Sequence, residues 1–160
     1  MIRVQAEDFD PGAEIARLAA ANPSIGGVAT FLGLVRDVAK GKPVTAMTLE
    51  HFPGMTEREL ARIEAAANRR WPLDASLIIH RYGRLLPGDR IVFVATASAH
   101  RQAAFDSCMF LVDYLKTEAP FWKLEEGAAG AQWVETRESD DLARALWEAD
   151  SGLAKKVRGA

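Results

Sequence analysis

The sequence predicts an α+β domain, mostly antiparallel, with helices packed on the sheet. Three observations carry that prediction. Apolar runs of strand length recur along the chain, as in "IGGVATFLGLV" (25–35) and "VTAMTLEHF" (44–52). Two more, "ASLIIHRYG" and "DRIVFVATAS", are joined through "RLLPGD", where Pro87-Gly88 marks a turn. From Ala99 to Lys116 the spacing becomes helical. Ala104, Cys108, Leu111 and Leu115 repeat at +4, +3 and +4, with Phe105 and Val112 widening the stripe.

Taken in order, Ile2 to Gln5 is a short strand. Pro11 to Ala21 is a helix with Asp10 as its N-cap and Pro11 at the first helical position. Residues 25–35 are apolar on both alternating faces, which predicts a strand covered on both sides. "RDVAKGKP" (36–43) is polar and contains glycine, so a loop is expected there. "TEREL" opens the next helix, with Thr56 and Glu59 at capping-box spacing. Leu60, Ile63 and Ala67 form its buried stripe, and Trp71-Pro72 ends it. Pro120 closes the long helix by forcing Ala119 away from the α region. "FWKLE" and "AQWVET" are short strands, and Ser139 caps a last helix whose Asp140 and Asp141 suit its positive end. No repeat or linker interrupts the chain, so residues 1–150 read as one domain. The basic tail 151–160 is expected to fray.

Bulk composition excludes several classes. The 160 residues are 49% hydrophobic and 26% charged, an ordinary globular balance. A net charge of -2 gives no overall pull toward nucleic acid or membrane, so any anion site must be local. The N-terminus lacks a basic region followed by an apolar run, and no signal peptide is expected. No apolar segment approaches the ~20 residues that span a bilayer. The single cysteine, Cys108, cannot form an internal disulfide, which fits a reducing cytoplasm. It falls on the apolar stripe and reads as an inert core thiol. His51 and His80 sit on predicted strands without a partner at metal-ligand spacing and read as structural. The expectation is therefore no metal and no cofactor. Neither a P-loop nor a nucleophile elbow occurs.

Three stretches could carry chemistry. In "SAHRQAAF", Ser98 is a good N-cap and places His100 and Arg101 in the first helical turn. Free backbone N–H groups there can bind a phosphate; alternatively both side chains turn away into water or toward a carboxylate. In "FLGLVRD", Gly33 suggests close approach by a backbone or ligand, and Arg36 offers a planar fork where strand meets loop. The plain alternative is a packing glycine beside an exposed arginine.

In "YLKTEAPFWKLE", Phe121, Lys123 and Glu125 alternate with Trp122 and Leu124. If Trp122 and Leu124 pack into the core, Lys123 lies on the other face, beside the helix end that carries Lys116. Two ammonium groups near apolar surface lower each other's pKa, which suits a lysine to proton or acyl chemistry. The alternative is that both lysines lay their stems on the aromatics and keep their charges in water. His100 and Lys116 are sixteen positions apart on one helix, or about 24 Å. If both serve one site, they come from different subunits of a two-fold dimer.

Together "FLGLVRD", "LEHFPGMTERE", "HRYGRLLPGD", "SAHRQAAF" and "DYLKTEAPFWKLE" resemble, in order and spacing, the large catalytic subunit of molybdopterin synthase. The resemblance runs from about Gly26 to the last helix. It implies an α/β hammerhead fold with a further small β subdomain. It also implies a sulfurtransferase that converts cyclic pyranopterin monophosphate to molybdopterin by installing two dithiolene sulfurs. The sulfur would arrive as the C-terminal Gly-Gly thiocarboxylate of a small ubiquitin-like carrier. Two large subunits would form a central homodimer with one carrier at each end, a heterotetramer.

Carried over by position, Lys116 and Lys123 match the two catalytic lysines, which also contact substrate. By that resemblance Lys116 would lie nearest the carrier's terminal carbonyl and Lys123 beside the pterin. Arg36 matches the phosphate-binding arginine, and His100 and Arg101 match the pair lent by the neighbouring subunit. Arg137 is a further anion-binding candidate. Glu118 stands where many relatives are expected to have a basic residue, and it is expected to face solvent. Two rival classes would use the same groove: a non-catalytic module binding a carboxylate tail, and a dimeric regulatory domain binding a phosphorylated metabolite.

Overall fold

The computed structural model describes residues 1–20, 22–39, 41–128, 130–134 and 140–148. The first sheet orders β1 (Ile2–Gln5), β6 (Ala75–Arg81), β8 (Arg90–Ser98) and β2 (Gly27–Leu34). β1 runs parallel to β6, and the other neighbours are antiparallel. The second sheet is antiparallel throughout and orders β10 (Gly130–Val134), β9 (Phe121–Gly127), β5 (Ala46–His51) and β7 (Gly83–Leu85). The helices are α1 (Pro11–Ala20), α2 (Met55–Arg70), α3 (Arg101–Thr117) and α4 (140–148).

β6 and β8 are covered on both faces, so alternate residues serve two cores. Ile78 and Val94 join Leu60, Ile63 and Ala67 of α2 and Cys108, Leu111 and Leu115 of α3. Leu77, Ile79 and Phe93 pack instead with Leu18 of α1 and with Phe9. Val35, Met47, Leu49 and Leu85 make a smaller cluster under the second sheet. The α2 stripe and its end at Trp71 agree with the sequence reading. So does the α1 cap, where Asp10 Oδ1 accepts the N–H groups of Gly12 and Ala13 at 2.8 and 3.2 Å.

Other expectations are corrected. Thr56 does not cap α2. Gly54, at φ 81°, precedes the helix, and Glu57 Oε2 accepts its N–H at 2.6 Å. Thr56 is fully buried in the first turn and donates to the Phe52 carbonyl at 3.0 Å. Residues 36–43 are not a plain loop but a ribbon of β3 (Val38–Ala39) and β4 (Lys42–Pro43), reversed at Gly41 with φ 76°. The connection "RLLPGD" includes part of β7, because Gly83 at φ 89° lets the chain leave the first sheet and pair with β5. α3 starts at Arg101 with His100 as cap residue, while Ser98 ends β8 and donates to the Pro72 carbonyl at 2.8 Å.

β2 is not covered on both sides. It is the open edge of its sheet, and Phe31, Leu32 and Leu34 are 36%, 39% and 47% exposed. Phe105 also lies off the buried stripe of α3, whereas Val112 is on it. Trp122 does not enter the core; it is 48% exposed. Ala21, Ser139, the end of "AQWVET" and the tail lie outside the described residues.

Ile63 is wholly buried between α2 and α3. Ile63→Ala removes three carbons from that contact and costs about 2–5 kcal/mol, read as a lower urea midpoint at unchanged slope.

Candidate active site

α3 ends at Thr117, and Pro120 has no N–H with which to continue it, so the chain re-enters as β9 after three residues. That junction puts Lys116 on the last helical turn and Lys123 on the strand, both on the wall of one cavity of about 590 Å³. Phe121, Lys123 and Glu125, alternate residues of β9, line it; Trp122 does not. Arg36, exposed just past β2, lines the same cavity. A Cβ at Gly33 would meet Val92 Cγ1 at 2.6 Å, so this glycine serves a close side-chain contact rather than a backbone approach. The pairing of β2 with β8 slips between Gly33 and Leu34, just before Arg36. A second hollow of about 510 Å³ lies beside Pro120, Trp122 and Trp133 and shares Phe121 and Lys123 with the first.

Charges of both signs meet in the cavity. Lys116 Nζ lies 3.7 Å from Asp140 Oδ1, at the start of α4. α4 is held by Trp147, whose Nε1 donates to Asp113 at 2.8 Å, and by Arg144, whose Nη1 donates to Glu118 at 2.7 Å. Glu118 therefore does not face open solvent; its side chain is 21% exposed and pairs with both Arg62 and Arg144. His80 is 6% exposed, yet it lines the cavity. Phe121 stacks on its ring with centroids 3.6 Å apart and planes at 14°. Burial pushes the His80 imidazole down to about 3, and the charges of Lys123 and His51 push the same way. Burial likewise pushes the Cys108 thiol up to about 11, which suits an inert core thiol.

His100 and Arg101 sit at the far end of α3, exposed and outside both cavities. Sixteen positions of helix, about 24 Å, separate His100 from Lys116. One chain thus brings Arg36, Lys116 and Lys123 together and leaves His100 and Arg101 apart. Arg137 lies outside the described residues. Among the described residues, no group of three or more His, Cys, Asp or Glu is placed to hold a metal.

The sequence model of the "MoaE protein" family matches residues 4–118. The molybdopterin synthase catalytic subunit of Pseudomonas aeruginosa is 58% identical over 147 residues, covering 92% of this chain and 98% of that one. The chain belongs to the MoaE family. The Ralstonia nicotianae molybdopterin synthase catalytic subunit is also 58% identical, over 91% of this chain and 83% of its own length. A molybdopterin biosynthesis MoaE protein from Burkholderia ambifaria superposes with a TM-score of 0.80 at 55% identity, covering 92% of this chain and 97% of that structure. A protein–protein complex of subunits 1 and 2 of the molybdopterin-converting factor from Helicobacter pylori shares the fold, with a TM-score of 0.70 at 15% identity over 85% and 91% of the chains.

Within this MoaE-family chain, sequence reasoning missed His80 and Asp140 as cavity residues. Period-two spacing on β9 already put Phe121 and Glu125 on the Lys123 face. Nothing local marks His80 or Asp140, which reach the cavity through the packing of β6 and α4.

Between its ordinary value near 6.5 and the buried value near 3, His80 takes up a proton in the unfolded chain and not in the folded one. The stability due to neutral His80 is complete above about pH 6.5 and is lost as pH falls toward 3, by up to about 1.4 kcal/mol per pH unit. Urea unfolding compared at about pH 7 and about pH 5 shows this loss, and His80→Asn shows a shallower one.

Proposed function

We propose that this chain is the catalytic subunit of a molybdopterin synthase. It converts cyclic pyranopterin monophosphate to molybdopterin, and its sulfur donor is a small ubiquitin-like carrier ending in a Gly-Gly thiocarboxylate. The observation that carries the reading is the shared cavity of Lys116 and Lys123, in a chain 58% identical to named catalytic subunits. Residues 1–150 act as one catalytic domain of the hammerhead type, a reading supported by two four-stranded sheets with packed helices. No helix among the described residues is long and apolar enough to cross a membrane, and the reaction is assigned to the cytoplasm.

The carrier tail enters along the hollow beside Pro120, Trp122 and Trp133, which Lys123 also lines. Its thiocarboxylate sulfur is the nucleophile, so the protein needs no thiol of its own. Attack forms a carbon–sulfur bond on the pterin side chain while the cyclic phosphate opens. Water then cleaves the acyl–sulfur bond and releases the carrier as a carboxylate. Lys116 orients the acyl group and stabilises the oxyanion of that second step. Lys123 moves protons at the pterin side chain. A fresh carrier delivers the second sulfur to the retained intermediate. Positioning of both reactants in one pocket supplies much of the rate.

Arg36 binds the phosphate together with His100 and Arg101 of a second copy. Support for that second copy comes from apolar surface left open at the β2 edge, where Phe31, Leu32 and Leu34 lie, and on α3 at Phe105 and Met109. A two-fold dimer of this kind holds two equivalent composite sites, each with one carrier.

Lys116→Ala reduces dithiolene formation from thiocarboxylated carrier and cyclic pyranopterin monophosphate by roughly 10²–10³-fold, while carrier binding measured by calorimetry persists. Unchanged turnover removes Lys116 from the mechanism. Equal amounts of Lys116→Ala and Arg101→Ala chains, allowed to exchange subunits, recover about a quarter of wild-type activity, because half the dimers carry one intact site. Absence of recovery after demonstrated exchange contradicts the shared site.

A further inference from the structure

His80 is buried, yet it is one of the residues that line the cavity. Its Nδ1 lies 2.9 Å from the Arg81 carbonyl oxygen. A carbonyl oxygen can only accept, so Nδ1 carries the hydrogen. In a neutral imidazole that assignment leaves Nε2 with a free lone pair. Burial keeps the ring neutral at working pH, and the nearby charge of Lys123 favours the same state. Phe121, flat against the ring at 3.6 Å, stops it from turning. Lys123 follows two positions later on β9, on the same face as Phe121.

We propose that His80 is a positioning residue for Lys123: its Nε2 accepts a hydrogen bond from the Lys123 ammonium and fixes that group at the cavity wall. The inference deepens the reading of Lys123 as the group that acts at the pterin side chain, and it rests on that reading. The residue type matters. A carboxylate at position 80 would form an ion pair and spend the charge of Lys123 on the protein. A neutral acceptor directs the ammonium and leaves its charge for an anionic substrate. The other charged groups on the cavity wall are Arg36, Lys116, Glu125 and Asp140, from four separate segments. Only His80 combines a fixed tautomer, a locked ring plane and proximity to Lys123 among the described residues.

Two variants separate positioning from support. His80→Asn keeps a donor for the Arg81 carbonyl and lacks the distal acceptor. His80→Gln carries an amide oxygen out to the place of Nε2. The expected result is a loss of kcat in His80→Asn of roughly 10- to 100-fold, the worth of one hydrogen bond to a charged group, at little changed KM. His80→Gln regains most of that loss. Equal turnover in the two variants, or losses that track their melting temperatures, overturns the proposal. A second measurement needs no substrate: nitrogen-15 NMR of the His80 imidazole in the full-length protein. The expected spectrum is a neutral ring protonated at Nδ1, with an Nε2 resonance that moves in Lys123→Met. An Nε2 resonance unmoved by that substitution overturns the proposal even if the synthase reaction proceeds. A resonance that moves in a protein without synthase activity supports the contact and counts against the functional reading alone.

Discussion

Phe121 reaches from the second sheet and lies flat on the His80 ring of the first, with 3.6 Å between ring centres. Among the described residues the two sheets share no strand pairing, so packing of this kind sets how they meet. The contact follows directly from the break at Pro120. A helix that ran on would carry Lys123 away along its axis, about 10 Å beyond Lys116. The chain instead stops, turns and pairs as β9, and the residue that starts the strand is anchored on His80. Lys116 and Lys123 then line one cavity although one belongs to a helix and the other to a sheet.

The same junction is tied down from behind. Glu118 sits between Arg62 of α2 and Arg144 of α4, and Asp113 holds Trp147. These contacts fix α4 against the end of α3, and α4 in turn presents Asp140 to Lys116 at 3.7 Å. A carboxylate at that distance steadies the ammonium group without surrounding it, and the lysine side chain stays 46% exposed. The position of Lys116 is thus coupled to the docking of the last helix.

Legibility followed range. The α2 stripe of Leu60, Ile63 and Ala67 and the Asp10 cap depend on neighbours within one or two turns, and both could be read directly. The switch of β7 to the second sheet depends on Gly83 and on a partner strand far away in sequence, and it could not. Alternation on β9 separated Phe121, Lys123 and Glu125 from Trp122 but could not say which set faces the cavity. Trp122 itself stays out of the core, because that side of the sheet leaves Trp122 48% and Trp133 56% exposed. Glu118 carried no local sign of its two arginine partners. The helical distance between His100 and Lys116 was legible from numbering alone, since it needs only 1.5 Å per residue. It keeps the two groups apart within one chain, so the shared site proposed above needs two chains.

Cross-linking between chains tests that two-chain site most directly. Chains carrying Arg101→Cys are mixed with chains carrying Lys116→Cys, exchanged, and treated with a short thiol-specific bifunctional reagent. The composite site predicts a covalent dimer in the mixture, and little or none when either chain is treated alone. An exchanged mixture that yields no more covalent dimer than the separate chains contradicts it.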